Sequence, residues 1–204
     1  MNSLFNYDRD YNSALAVVCY NIGIDPLTYI NYIPTNYFKF ISPEEIQIPN
    51  HIKRLEEGSL NFCKAIDLSN TNITEIPTFA MDPNEPLESI KLPRNLKVIE
   101  DEAFSETNLR SIVIPDSVET IKKYAFEKCL QLEKVKLGKH LQTLGNDVFS
   151  ECSSLKEVII PHIKNVGNDI FWYDFQLKQI KLSKNAPQDF KEYCMEKCAN
   201  VEFI

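Results

Sequence analysis

A period of 22 to 23 residues constrains this chain more than any other feature. Taking Ile90, Ile112, Val135, Val158 and Ile180 as markers, the steps are 22, 23, 23 and 22. One unit reads Leu87, Ile90, Leu92, Pro93, Leu96, Ile99, Ala103, Phe104 and Thr107. The next reads Leu109, Ile112, Ile114, Pro115, Val118, Ile121, Ala125, Phe126 and Cys129. Leu132, Val135, Leu137, Gly138, Leu141, Leu144, Val148, Phe149 and Cys152 follow, then Leu155, Val158, Ile160, Pro161, Ile163, Val166, Ile170 and Phe171. Leu177, Ile180 and Leu182 open a further copy. Upstream, Ile46, Ile48, Pro49, Ile52, Leu55, Leu60 and Cys63 match, and Ile66, Leu68, Ile73, Ile76, Ala80 and Met81 match with shifted spacing. A repeat of this length cannot bury its apolar side chains alone, so about seven units must stack into one continuous core.

Each unit has a readable local logic. The Ile-x-Leu pair alternates with period two, as a short half-buried strand does. The Pro that often follows ends the strand, because it has no N–H to give to a ladder. The later apolar pair and the Ala-Phe pair then lead the chain inward through a short helical or irregular return. Composition fits a folded chain: 44% of residues are apolar and 25% charged, which excludes a disordered polymer. No apolar run approaches the roughly 20 residues that span a bilayer. The stretch from Ala14 to Cys19 is short and lacks the basic flank of a secretory signal, so a cytoplasmic location is expected. The net charge of −7 disfavours nucleic acid as a partner. Six cysteines are too few for a disulfide-built scaffold of this length.

The motifs Leu-x-x-Ile-x-Leu-Pro at Leu87 to Pro93 and Ala-Phe-x-x-Cys at Ala125 to Cys129 resemble the BspA-type leucine-rich repeat. Ile66-Asp67-Leu68-Ser69-Asn70-Thr71-Asn72-Ile73 is similar to the broader leucine-rich-repeat consensus. The resemblance implies an α/β solenoid with a parallel sheet on its concave face and a binding role. Family members include microbial surface and adhesion proteins, so a surface adhesin is one alternative and a structural or assembly subunit, in a homo-oligomer or a virus particle, another. The expected organisation is a helical N-terminal cap (1–43), the repeats (44–184) and a C-terminal cap (185–204).

The ends depart from the repeat. Ala14, Leu15, Val17, Val18 and Ile22 suit a buried helix that stops near Gly23. Asp25-Pro26 reads as the start of a second helix, with Leu27, Ile30 and Ile33 on one face and Pro34 at its end. This segment caps the first repeat or forms a separate partner-binding element. Ala186-Pro187 starts a helix through Phe190, Tyr193 and Cys194, and Val201 and Phe203 suit a last strand.

Little in the chain points to chemistry, and neither an enzyme nor a cofactor is expected. His51 and His140 share one loop position of the repeat, and no nucleophile elbow, phosphate loop or zinc-protease motif is present. Cys63, Cys129 and Cys152 share a core position, where a free thiol acts as a small hydrophobe. Cys129 and Cys152 lie in adjacent units, close enough for a disulfide to be conceivable. Cys194 and Cys198 lack the further ligands that zinc requires.

Binding is therefore sought on surfaces. Strand alternation points Lys91, Val113, Lys136, Ile159 and Lys181 outward, with Lys134 beside them. Lys91, Lys136 and Lys181 recur on alternate strands, roughly 10 Å apart. This predicts a locally basic and apolar face on an acidic protein, suited to an acidic protein partner. Trp172 and Tyr173 stand where other units carry Ser105-Glu106 and Ser150-Glu151. They are exposed contact residues, or the C-terminal helix covers them, which the capping logic favours.

Overall fold

The computed structural model describes residues 27, 30–39, 43–83 and 86–204. Its strands alternate between two sides of a coil. One side carries β2 (Glu45–Gln47), β4 (Ala65–Asp67), β6 (Ser89–Lys91), β8 (Ser111–Val113), β10 (Lys134–Lys136), β12 (Glu157–Ile160), β14 (Gln179–Leu182) and β15 (Val201–Phe203). The other carries β1 (Tyr32–Ile33), β3 (Arg54–Leu55), β5 (Glu75–Ile76), β7 (Val98–Ile99), β9 (Thr120–Ile121), β11 (Thr143–Leu144) and β13 (Asn165–Val166). A single helix among the described residues, α1 (Gln188–Lys197), precedes β15. The result is a parallel β-solenoid of about 8 turns.

Register follows the repeat markers. Ile112, Val135, Val158 and Ile180 are direct partners across β8, β10, β12 and β14, all parallel. The irregular upstream units obey the same rule: Ile46, Ile66 and Ile90 pair across β2, β4 and β6 despite their shifted spacing. The first sheet is divided between β6 and β8, which belong to different hydrogen-bonded sets.

The return segment differs from the expected helical or irregular path. It holds a second parallel ladder, in which Ile76, Ile99, Ile121 and Leu144 pair in succession and Leu144 pairs with Val166. A strand of two residues shows no alternation, so its sequence carries no period-two signal. The third side explains the absence of helix there. Glu102, Tyr124, Asp147 and Asp169 adopt φ of 54° to 58°, and Glu106, Lys128, Glu151 and Tyr173 adopt φ of 55° to 61°. In these four rows the two left-handed columns bracket the apolar pair that ends in Phe104, Phe126, Phe149 or Phe171. Such a conformation costs an L-residue about 1–2 kcal/mol. It is offset by bonds to the next row: Phe104 N–H donates to the Ala125 carbonyl (2.9 Å), Phe126 to Val148 (3.0 Å) and Phe149 to Ile170 (3.1 Å). A backbone that bonds to its neighbouring row has no groups left for an i to i−4 ladder.

The second N-terminal helix expected over 27–33 is also not what forms. Tyr32 and Ile33 are a strand paired with Arg54 and Leu55, and Ile33 and Phe38 are fully buried. Tertiary pairing overrides the local helix signal of Asp25-Pro26. The first expected helix, over 14–23, lies outside the described residues. At the other end the expected helix and last strand are present as α1 and β15.

The core is one column of stacked side chains. Phe104, Phe126, Phe149 and Phe171 are buried, with successive ring centroids 5.4, 5.4 and 6.2 Å apart and planes within 19° of parallel. Tyr193 of α1 continues the column at 6.3 Å from Phe171. It also solves the end problem. In the rows above, each Phe N–H donates to a carbonyl of the next row; Phe171 has no such row and donates to the Tyr193 hydroxyl (2.8 Å). Burial pushes the Tyr193 phenol up to about 12, so it stays a neutral acceptor.

Phe126→Ala therefore loosens both neighbouring rows and costs about 3–5 kcal/mol, measured by denaturant unfolding; unchanged stability and protease resistance would count against the stacked column. Tyr193→Phe keeps the ring and orphans one buried N–H, at a cost of about 1–3 kcal/mol, seen as faster amide exchange at Phe171.

Candidate functional site

Strand alternation sends one side chain in and its neighbours out, so the outward face of the first sheet is built residue by residue. Val113, Lys136, Ile159 and Lys181 lie directly opposite one another on β8, β10, β12 and β14. Glu202 on β15 completes that row beside Lys181. On the upstream sheet the same row reads Gln47, Asp67 and Lys91. Lys134 sits two residues earlier on β10, opposite Glu157. The face thus brings together the outward residues read from sequence, apart from Trp172 and Tyr173.

Its charge differs from the expected basic surface. Lys91 Nζ lies 2.9 Å from Asp67 Oδ2, Lys134 Nζ 3.2 Å from Glu157 Oε2, and Lys181 Nζ 3.2 Å from Glu202 Oε2. Each pair spans adjacent strands in register, so Lys91, Lys134 and Lys181 are neutralised locally. Glu45 adds a further carboxylate to the same face. Of the four lysines, only Lys136 has no ion pair among the described residues. It stands between Val113, which is 63% exposed, and half-buried Ile159. The compensating acids were the signal that lysine spacing alone did not include.

The Asp67 carboxylate is held by three donors. It accepts from the Ser69 hydroxyl (2.6 Å) and the Ser69 N–H (2.9 Å), as well as from Lys91. These donors, the Ser69 hydroxyl first, hold its carboxyl down at about 2 against some burial. Asp67 in turn raises the Lys91 ammonium above its ordinary value.

A second surface is aromatic. Trp172 and Tyr173 are 45% and 49% exposed, and α1 does not cover them, since its Tyr193 stacks on Phe171 instead. Phe175, which the sequence groups with them, is 81% exposed. The three rings form one edge-to-face cluster, with centroids 4.2 Å apart for Trp172–Tyr173 and 5.4 Å for Tyr173–Phe175. Glu151, which donates its N–H to the Trp172 carbonyl (2.7 Å), lines a groove of about 310 Å³ with Glu106, Lys128 and Leu130. A larger groove of about 370 Å³ lies between the end of β13 and α1, lined by Val166, Asn168, Asp169, Asp189, Phe190 and Tyr193.

The remaining sequence candidates are structural. His51 Nε2 lies 2.6 Å from the Leu27 carbonyl, and His140 Nδ1 lies 2.9 Å from the Asp116 carbonyl. Cys63, Cys129 and Cys152 are buried free thiols in one column. The Cys129 thiol donates to the Phe104 carbonyl and the Cys152 thiol to the Phe126 carbonyl, each at 3.1 Å. Cys194 and Cys198 are likewise free and buried. Among the described residues, no group of three or more His, Cys, Asp or Glu side chains is placed to hold a metal ion, and no helix is long and apolar enough to cross a membrane.

Parallel rows, a shared core column and a solvated sheet face define a repeat solenoid, a scaffold that presents surface. Six copies of the family model for the BspA type leucine rich repeat region match residues 31–136 and 74–202. The chain belongs to the BspA-type leucine-rich repeat family. It is similar to the T. pallidum leucine rich repeat protein TpLRR, at 22% identity and a TM-score of 0.64, over 84% of this chain and 91% of that one. It is also similar to the pneumococcal vaccine antigen PcpA, at 23% identity and a TM-score of 0.58, over 79% of this chain and 41% of that one. At these identities the likeness is one of fold. No curated protein matches the sequence significantly.

The lowered Asp67 value predicts an acid-resistant contact. A carboxyl held below its ordinary value contributes stability that is present above about pH 4 and is lost as pH falls towards about 2. Ser69→Ala removes the leading cause, so the Asp67 carboxyl-carbon NMR midpoint rises towards 3.8; an unmoved midpoint would place the cause elsewhere.

Proposed function

We propose that this protein is a non-catalytic binding module whose partner is another protein, docked on the outward face of the first sheet. The observation that carries the reading is the patch of Val113, Lys136 and Ile159. An exposed valine on β8, the edge strand of its hydrogen-bonded set, sits beside a lysine on β10 that makes no ion pair among the described residues, flanked by lysines whose charges are already met. An unpaired ammonium between apolar neighbours favours a partner with a carboxylate inside an apolar contact. The ion-paired Lys91, Lys134 and Lys181 form the polar rim. The family of this chain is associated with binding and surface roles, which supports a scaffold over an enzyme.

The exposed Trp172–Tyr173–Phe175 cluster favours a second reading, an assembly subunit that docks through the turn beside α1. Exposed aromatics of this kind are common contact anchors. A cytoplasmic location remains part of the leading reading. An adhesin on the cell surface is its rival, and protease shaving of intact cells separates the two.

The test is affinity capture from an extract of the native host. Wild type is compared with Val113→Glu/Lys136→Glu and with Trp172→Ala/Phe175→Ala, each first checked for fold and oligomeric state. A partner retained by wild type and by the aromatic variant, but weakened more than tenfold by the sheet variant, is the expected result. Loss only in the aromatic variant would move the site to the turn. A stable oligomer that dissociates in that variant would favour the assembly role.

A further inference from the structure

The column that holds the buried thiols does not end in a thiol. Three residues beyond each core Phe stand Thr107, Cys129, Cys152 and Asp174. In this position a donor is required: Thr107 Oγ1 donates to the Phe104 carbonyl (3.0 Å), Cys129 Sγ to the Phe104 carbonyl and Cys152 Sγ to the Phe126 carbonyl. The carbonyl that corresponds in the row of Asp174 is that of Phe149. An ionised carboxylate has no proton to give it. Asp174 is only 8% exposed, and neither of its oxygens makes a hydrogen bond among the described residues. The Cys152 N–H faces it but already donates to the Phe149 carbonyl (3.4 Å). A buried charge without partners is strongly disfavoured, whereas a neutral carboxylic acid carries the O–H that this column uses.

We propose that Asp174 is held as the neutral acid beneath α1, and that its ionisation loosens the C-terminal cap, making this end of the solenoid a pH-sensitive latch. The groups that face it are the Cys152 thiol on the turn beneath and Tyr193 and Lys197 on α1. Lys197 is the one cation among them. It makes no ion pair with Asp174 within 4.0 Å and lies over the Tyr193 ring, 5.4 Å from its centroid. Burial pushes the Asp174 carboxyl up to about 8, with Cys152 and Lys197 opposing. The sign follows: an acid whose folded value is raised is stabilising when protonated, and that contribution is lost as pH rises from about 4 to about 8. Opening α1 hydrates the carboxyl and lets it ionise at its ordinary value. The same loop carries the exposed Trp172, Tyr173 and Phe175, so loosening the cap also changes how that cluster is held.

The experiment is amide hydrogen exchange of residues 188–204 between pH 5 and pH 9, corrected for intrinsic rates, with the Asp174 carboxyl carbon followed by NMR. In wild type the opening constant of α1 is expected to rise by up to about tenfold per pH unit to about pH 8 and then level off. Asp174→Asn, which is neutral at every pH, and Asp174→Cys, which restores the thiol of the column, are expected to show no such slope. A slope shared by the variants, or absent from wild type, overturns the proposal. A wild-type Asp174 midpoint below about 5 overturns it irrespective of how the variants fold.

Discussion

Every row of this molecule leaves its backbone hydrogen bonds unfinished, and the next row completes them. That holds on all three sides. β8, β10, β12 and β14 pair through the first sheet, β5 to β13 through the second, and the left-handed columns hand Phe104, Phe126 and Phe149 N–H groups to the following row. The strain of the left-handed residues is tolerated because the bonds it permits could not form otherwise. Side-chain packing repeats the arrangement from Phe104 to Tyr193, with each ring seated on the ring before it. Stability is then a property of neighbouring rows, and a row on its own has no folded state to occupy.

How much of this can be read in advance depends on which physical signal each part leaves in the chain. The first sheet is legible because an in-out-in pattern of three residues fixes both strand and register, so Ile112, Val135, Val158 and Ile180 align from spacing alone. The core thiols and the C-terminal helix are legible for similar reasons: a fixed column, and a Pro at the helix start. The second sheet is not, because a pair such as Thr143–Leu144 buries one side chain and carries no alternation. The left-handed corners are held by Glu, Tyr, Asp and Lys where a glycine would have announced them. Tyr32 and Ile33 show the opposite failure, the end of a sound local helix signal overruled by pairing with Arg54 and Leu55.

The candidate surfaces divide along the same line. Alternation correctly sends Lys91, Lys134, Lys136 and Lys181 outward, but charge is a property of the assembled face. Asp67, Glu157 and Glu202 come from strands 21 to 24 residues away, and only the register brings each opposite its lysine. What distinguishes Lys136 is therefore its neighbours Val113 and Ile159, which offer it no carboxylate. Trp172 is the reverse case. Its exposure follows from where α1 puts Tyr193, which is set by the unmet Phe171 N–H.

The cap at Tyr193 has a consequence for how such a chain can change length. Its two contacts, a ring seated on a ring and a hydroxyl accepting one N–H, address features that every Phe-bearing row possesses. Nothing in them is peculiar to the row that ends in Phe171. A duplication or deletion of one whole period upstream would present the same ring and the same N–H to α1. The array is in that sense modular in units of 22 to 23 residues, with a terminator that is indifferent to how many copies precede it. Rows of 20 and 24 residues, from Ile46 to Ile66 and from Ile66 to Ile90, keep the same register, so the difference in length is taken up between the strands and leaves the outward residues on their side.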